Sequence, residues 1–507
     1  MAANLNPAVL TESLARHLCG PCWQSATTLL GEMSIDLPAL AEDKKVNLKQ
    51  ALGAALAGQS DKFEQLDTFL KARQLMSDGP SPYAVRFKLP PTPNESTGEK
   101  FLAGAKAKFW GVAQYVQDSK LALRALRHPT ILREMTLALP IGGKTAFVYG
   151  VFACYQPISP SKGGIRFDEG VTRDTVKALA FDMMIKNAVG NLPFSGGKCG
   201  LRVDNTLLTR EERELLARTF IRSMGPELGP RRYVPGPDMG TSDLIDVMAD
   251  EYESVHGEWV PAVITGKSIA RGGSEGRPEA TGRGAFHVFQ SYLREHVGRH
   301  SFPNGRARIA IQGFGGAAQP FAELASKDSN IVAISDRYGS MYNEHGIDVT
   351  AAIAAVKKTG RLPEYNGPTD PADVLFLPNV DVIVPAATEG QLRADNASRV
   401  TAKLSVEIAN GPTQTDADEI LRDNGVVVLP DVLANLGGVT VSSFEWKQGL
   451  LMEEWALATV RERLETSMVG AYTRVSAAQQ RHQVDFRTAA HIVALERIVG
   501  QLTPLYR

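Results

Sequence analysis

Three lysines and one aspartate, Lys162, Lys186, Lys198 and Asp238, stand within one stretch of the chain among glycines that leave room for a small anionic ligand. The stretch runs Ser-Lys162-Gly-Gly-Ile-Arg-Phe, then Lys186 inside a helical pattern, then Pro-Phe-Ser-Gly-Gly-Lys198-Cys-Gly, then Pro-Gly-Pro-Asp238-Met-Gly. A lysine amine ordinarily titrates near a pKa of about 10.4, and burial beside other cations lowers that value, so such an amine can polarise or activate water at neutral pH. An aspartate in the same stretch can carry protons, while the other cations can hold the anionic ligand in place.

A second constellation lies further on. Ile309-Ala-Ile-Gln-Gly313-Phe314-Gly315-Gly316-Ala317-Ala318 reads as a short apolar strand, a glycine turn and a helix start. The next strand, Asn330-Ile-Val-Ala-Ile-Ser-Asp336, ends on an acid 21 residues beyond Gly315. Strand, glycine turn, helix, strand and acid make a dinucleotide-binding unit, with phosphates on the helix N-terminus and the acid on a ribose hydroxyl. Asp336 favours NAD by accepting from both ribose hydroxyls, while Arg337 directly after it suits a 2′-phosphate, so NAD or NADP is expected with a lean to NAD.

The elements that must position these residues can be read from periodicity. Thr172 is a cap candidate for a helix over 176–187, with Val176, Leu179, Ala180 and Met183 on one buried stripe. Lys186 falls on that stripe and needs an anion, whereas Lys177 is out of phase and is expected to be solvated. Thr209-Arg-Glu-Glu212 is a capping box. A helical pattern spans 101–126, and Met135–Leu139 and Thr145–Val151 look like paired strands around Pro140-Ile-Gly-Gly. Val380–Pro385, Leu404–Ile408 and Gly425–Pro430 are apolar enough for buried parallel strands, and helical patterns close the chain. Residues 1 to about 88 are helical in pattern and carry no chemical motif; 89–99 reads as a linker.

The 507 residues call for two or more domains, and 55 basic against 56 acidic side chains give no electrostatic reason to expect nucleic acid or a membrane surface as partner. No leader or spanning stretch is expected, and four cysteines in so long a chain suit a reducing cytoplasm. Cys19-Gly-Pro-Cys22 has the spacing of a redox dithiol or half a zinc site, yet follows a helical run and lacks further ligands, so no metal is expected.

Taken together, Lys162-Gly-Gly-Ile-Arg-Phe, Gly-Gly-Lys198, Pro-Asp238-Met-Gly-Thr241, Thr265-Gly-Lys, Gly272-Gly-Ser-Glu-Gly-Arg-Pro-Glu-Ala-Thr281-Gly-Arg-Gly, Ala409-Asn410-Gly-Pro-Thr and Pro430–Trp446 resemble the glutamate/leucine/phenylalanine/valine dehydrogenase family over about residues 101–507. The resemblance is nearest to its glutamate-specific members. It implies an α/β protein of two domains, a substrate-binding α/β domain (96–283, joined by helices 445–507) and a Rossmann-type doubly wound dinucleotide-binding domain (284–444), plus a helical N-terminal extension (1–95). By the same resemblance Lys198 is the catalytic lysine and Asp238 the proton-transfer residue, Lys186 holds the substrate α-carboxylate, and Lys162 and Ser442 hold the side-chain carboxylate. Met183 and Val439 line the substrate pocket. Thr281 and Asn410 meet the nicotinamide end of the cofactor, and Gly313, Phe314, Gly315, Gly316, Ala317, Asp336 and Arg337 its phosphates and adenosine. The implied reaction is reversible oxidation of glutamate to 2-oxoglutarate and ammonia with NAD(P), in a homo-oligomer, a hexamer. The competing readings are a dehydrogenase for another amino acid and a catalytically silent paralogue. Ser195, Gly197, Cys199, Gly236 and Gly390 depart from the family pattern.

Overall fold

The computed structural model describes residues 95–141, 144–155, 160–296 and 305–506. The expected N-terminal helices and the Cys19/Cys22 pair lie outside them. The first described helix, α1 (Glu95–Gly111), begins inside the expected linker. The helical pattern read over 101–126 is broken: α1 ends, a short 3₁₀ turn follows, Asp118 takes a left-handed φ of 57°, and α2 (Ser119–Ala125) restarts.

The first sheet contains β1 (Ile131–Ile141), β2 (Lys144–Tyr155), β3 (Ser161–Phe167), β4 (Ser195–Leu201) and β5 (Tyr233–Pro237) in the order β1-β2-β4-β3-β5. β1 and β2 form the expected antiparallel hairpin, β2 runs antiparallel to β4, and β3 lies parallel to both β4 and β5. Between β3 and β4 the chain forms α3 (Arg173–Val189), opened by a reciprocal cap in which Thr175 N donates to Thr172 Oγ1 and Thr172 N to Thr175 Oγ1. The expected stripe on α3 holds for Val176 and Ala180, but Leu179 and Met183 are only half-buried and Phe181, Met184 and Ile185 are buried instead, because the helix packs on β2 and β4 and on α1 and a C-terminal helix. Lys177 is correspondingly not solvated; its side chain is mostly covered and pairs with Asp174 at 2.5 Å. The helices α4 (Arg210–Met224), with its Thr209/Glu212 capping box, and α5 (Ile245–His256) cover the other face.

After α6 (Ala280–Glu295) comes the second sheet: β6 (Arg308–Gln312), α7 (Ala318–Ala325), β7 (Asn330–Asp336), β8 (Gly339–Tyr342), α8 (Val349–Thr359), β9 (Val382–Pro385), β10 (Leu404–Val406), α9 (Thr415–Asp423) and β11 (Val427–Leu429). Its order is β11-β10-β9-β6-β7-β8, parallel except for β8. That is the dinucleotide-binding order, with a switch point between β6 and β9 where the connections reverse direction. β8 escaped the sequence reading because it is four residues long and joined to β7 by a two-residue loop, Arg337-Tyr338.

The chain then returns toward the first sheet through α10 (Asp431–Ala434), α11 (Gly437–Leu451), α12 (Leu457–His482) and α13 (Phe486–Tyr506). A single apolar cluster runs from Phe109 and Phe181 through Phe289 and Phe321 to Ile492 and Leu495, so the helices join the two sheets. Arg487 of α13 fixes this junction electrostatically: it donates to Glu407 Oε1 at 2.7 Å and Oε2 at 3.0 Å, and to Asp418 at 2.9 Å.

Candidate active site

Strand register assembles the first constellation. Lys162 on β3 is opposite Gly196 on β4 and Val234 on β5, Gly164 is opposite Gly236, and Ile165 is opposite Cys199. Since side chains alternate along each strand, Lys162, Arg166 and Lys198 emerge on one face, and Asp238 follows directly after β5. The glycines between them keep this face open. A Cβ at Gly164 would stand 2.7 Å from Asp238 Cβ and 3.3 Å from Lys198 Nζ.

Lys198 and Asp238 form a short, direct ion pair, and Arg166 Nε donates to the same Asp238 oxygen at 3.0 Å. Burial would raise the Asp238 carboxyl, but Lys198 and Arg166 outweigh it and hold the group well below the usual carboxylate range. The Lys198 ammonium is pushed down by burial and by Arg166 and Lys186, with Asp238 opposing. Arg166 is a functional candidate that sequence reasoning missed, although it stands in the quoted Lys-Gly-Gly-Ile-Arg-Phe run.

Lys162 is 2% exposed and donates to Thr265 Oγ1 at 2.6 Å and to the Val234 carbonyl at 3.5 Å, with the Phe194 ring 5.8 Å away. Burial pushes its ammonium down to about 7; Glu445 opposes this, while Arg277 and Lys267 add to it. Glu445 itself is committed to Lys267, at 2.6 Å, and to the Gly266 amide. Across the pocket Arg277 Nε donates to Ser442 Oγ at 3.2 Å, and burial lowers its guanidinium as well. Among the described residues neither Lys162 nor Arg277 has a carboxylate within ion-pair distance, so one buried and one half-buried cation stand near Ser442 and Thr265. Arg277 was also missed; its neighbours in the Gly272–Gly284 run gave no sign that it turns inward. Val439, one turn before Ser442, packs with Phe194, and Met183 lies over β3, 3.2 Å from where a Cβ on Gly163 would be.

Lys186 lies deeper along α3, and burial lowers it against the opposing pull of Asp431, Asp182 and Asp238. Its Nζ donates to Asn410 Oδ1 at 2.8 Å, and Asn435 Nδ2 donates to the same oxygen at 3.0 Å. Asp182, one helical turn before Lys186, is pushed up to about 7 by burial and by Asp431, with Lys186 opposing. Sequence reasoning overlooked Asp182 because an acid four residues before a lysine usually marks a surface pair.

The glycine turn accepts a dinucleotide sterically. Gly313 has φ 86°, and a Cβ there would meet Ala387 Cα at 2.7 Å, whereas the Cβ positions of Gly315 and Gly316 point into open space at the start of α7. Phe314 is buried and Ala317 half-buried; the Ala317 carbonyl would be 2.0 Å from a Cβ on Gly282, which seats the turn against α6. Thr281 stands beside Gly438, and the buried Asn435 Oδ1 next to Asn410 has no hydrogen-bond partner among the described residues, an acceptor of the kind a carboxamide NH₂ would meet. These residues fit the group. Asp336 differs from the expectation: Oδ1 is occupied by the amides of its own hairpin loop and Oδ2 by Leu362 N and Tyr365 Oη of the loop after α8.

Cys199, adjacent to Lys198, points into the opposite core with Phe152 and Leu201, and burial pushes its thiol up. Among the described residues no group of His, Cys, Asp and Glu could hold a metal ion, and no helix is long and apolar enough to cross a membrane.

A two-sheet α/β fold with a lysine-lined face turned toward the end of a dinucleotide-type sheet defines the class of nucleotide-dependent oxidoreductases of small anionic substrates. Two family models match, "Glutamate/Leucine/Phenylalanine/Valine dehydrogenase" over residues 272–503 and the "Glu/Leu/Phe/Val dehydrogenase, dimerisation domain" over residues 123–254. The chain belongs to this family. It is 46% identical to a glutamate dehydrogenase of Thermotoga maritima over 67% of this chain and 82% of that one. An NADP-specific glutamate dehydrogenase A1 of Halobacterium salinarum is 38% identical, over 74% of this chain and 91% of that one. An NAD-specific enzyme of the same organism is 37% identical, over 79% and 92%. Among solved structures, a hetero-hexameric glutamate dehydrogenase of Thermus thermophilus in a Leu-bound form aligns with TM-score 0.76 and 32% identity, over 82% of this chain and 99% of that one.

Proposed function

We propose that the chain catalyses the reversible oxidative deamination of L-glutamate to 2-oxoglutarate and ammonia with NAD(P). The observation that carries the substrate is the pair of cations, buried Lys162 and half-buried Arg277, without carboxylate partners among the described residues. An aliphatic side chain would leave both charges uncompensated, a cost of several kcal/mol, whereas a γ-carboxylate accepts from Lys162, Arg277 and Ser442. Lys186 then takes the α-carboxylate in exchange for its bond to Asn410.

A bound nicotinamide would supply the acceptor for the hydride leaving the substrate Cα. The residues of this chain manage the protons. Asp238 Oδ2, kept ionised by Lys198 and Arg166, takes a proton from the substrate amine so that its lone pair can form the iminium as the Cα–H bond breaks. Lys198 Nζ, its basicity lowered by burial, accepts a proton from the water as its oxygen adds to Cα. Asp238 returns a proton to the nitrogen, and as the C–N bond breaks the remaining hydroxyl proton passes from the new carbonyl to the departing ammonia, which leaves as ammonium. Phe194, Met183 and Val439 keep bulk water from this centre. In this reading the first sheet with the C-terminal helices binds substrate and the second sheet binds the dinucleotide, divided near residues 283 and 444.

The same reading includes assembly into a homo-oligomer, a hexamer, supported by the dimerisation-domain match over 123–254 and by the hexameric relative; light scattering of the purified chain tests it. The activity is tested by offering glutamate, leucine, valine and phenylalanine with each dinucleotide and following nicotinamide absorbance. Glutamate should dominate; turnover of leucine above glutamate would remove the role given to Lys162 and Arg277.

A further inference from the structure

Arg337 at the tip of the β7–β8 hairpin and Arg361 in the loop after α8 both lie against the Tyr338 ring. We infer that this tip binds the phosphate ester on the adenosine ribose, so that the chain selects NADP over NAD; the inference rests on the dinucleotide reading. Gln312 pairs with Ser335, and Gly313 N donates to Ser335 Oγ at 3.4 Å, which sets the hairpin tip beside the glycine turn, where such sheets hold the adenosine ribose.

The acid that would select a ribose diol is already saturated. Asp336 Oδ1 accepts from Tyr338 N at 2.7 Å and Gly339 N at 3.2 Å, and Oδ2 accepts from Leu362 N at 3.1 Å and Tyr365 Oη at 2.8 Å. A carboxylate has about four acceptor sites, so a ribose hydroxyl could bond to Asp336 only by displacing one of these donors. The arrangement is also packed: the Tyr365 ring fills the space over Gly339, with Cδ1 2.7 Å from where a Cβ would be. Asp336 therefore fastens the loop after α8 to the hairpin.

That fastening brings Arg361 to the tip. Its guanidinium lies 4.2 Å from the Tyr338 ring centroid, and that of Arg337 lies 5.3 Å from the same ring. Among the described residues neither arginine has a carboxylate within ion-pair distance, and both are exposed. A phosphate monoester brings close to two negative charges and oxygens that match the guanidinium fork, whereas a ribose hydroxyl brings no charge to either.

The test is equilibrium binding to the full chain, read by fluorescence titration without turnover. NADPH should bind roughly tenfold or more tightly than NADH, and 2′,5′-ADP should compete better than 5′-ADP by a similar factor. Arg337→Gln with Arg361→Gln should reduce NADPH affinity to the level of NADH and leave NADH affinity within about twofold. NADH binding as tightly as NADPH, or equal weakening of both by the double substitution, would overturn the inference. Failure of both dinucleotides to bind would instead overturn the dinucleotide reading on which it rests.

Discussion

Lys186 Nζ donates a 2.8 Å hydrogen bond to Asn410 Oδ1 across a sequence separation of 224 residues, and the bond joins the lysine-bearing helix of the first sheet to the end of the second. The amine expected to hold the substrate α-carboxylate is thus supported by the residue expected to meet the nicotinamide. In the proposed reading, substrate and dinucleotide recognition would share one contact.

Replacing Asn410 with aspartate gives Lys186 a charged partner of nearly the same shape. The substrate carboxylate then competes with a carboxylate already in place, so the KM for glutamate should rise tenfold or more, equivalent to about 1.4 kcal/mol. Steady-state kinetics with saturating dinucleotide measure this, and an unchanged KM would detach Lys186 from substrate binding.

Lys162 is a buried amine with no carboxylate partner among the described residues, a position that the proposed function assigns to recognition of the substrate side chain. Lys162→Met should lower kcat/KM for glutamate by about three orders of magnitude and stabilise the ligand-free protein by about 2 kcal/mol. The sign of its pH dependence follows from the lowered pKa. Between about 7 and the ordinary 10.5 the folded state binds fewer protons at this site than the unfolded state, so this residue's contribution to stability rises with pH across that window. The advantage of methionine should accordingly shrink as pH goes from 7 to 10, which urea unfolding at the two pH values will reveal.

Asp238 and Arg166 separate chemistry from tuning. Asp238→Asn should retain dinucleotide binding and lose turnover by two orders of magnitude or more, the usual scale for removing a proton-transfer group. Arg166→Gln removes one of the two cations that depress the Asp238 carboxyl. The acid limb of its kcat/KM profile should therefore move to higher pH, while the alkaline limb changes less. An unshifted acid limb would assign that limb to another group.

Arg487 should matter for stability rather than chemistry. Glu407 is fully buried, and Arg487 is its only cationic partner among the described residues. Arg487→Met leaves that carboxylate uncompensated and should cost about 3–5 kcal/mol in denaturant unfolding. A loss below 1 kcal/mol would show that Thr413 Oγ1 and the Asp431 amide, which also donate to Glu407, suffice.

The chain itself determined the elements and much of the site. Alternating strands, the caps at Thr172 and Thr209, and the glycine turn at Gly313 are local, since period, cap and turn are set by residues a few positions apart. The apolar runs of β9, β10 and β11 are local in the same way, whereas the order of the strands in the second sheet is set by pairing across distance. What only tertiary structure decided was partnership across distance. Arg277 meets Ser442 from 165 residues away, and Tyr365 reaches back 29 residues to occupy Asp336. Neither event leaves a periodic mark. The sequence placed an acid at the end of β7 where a ribose acid belongs, but whether its lone pairs are free depends on which loop packs against it. A residue's type fixes the bonds it is able to make; the three-dimensional packing of distant segments fixes which of them it has already made.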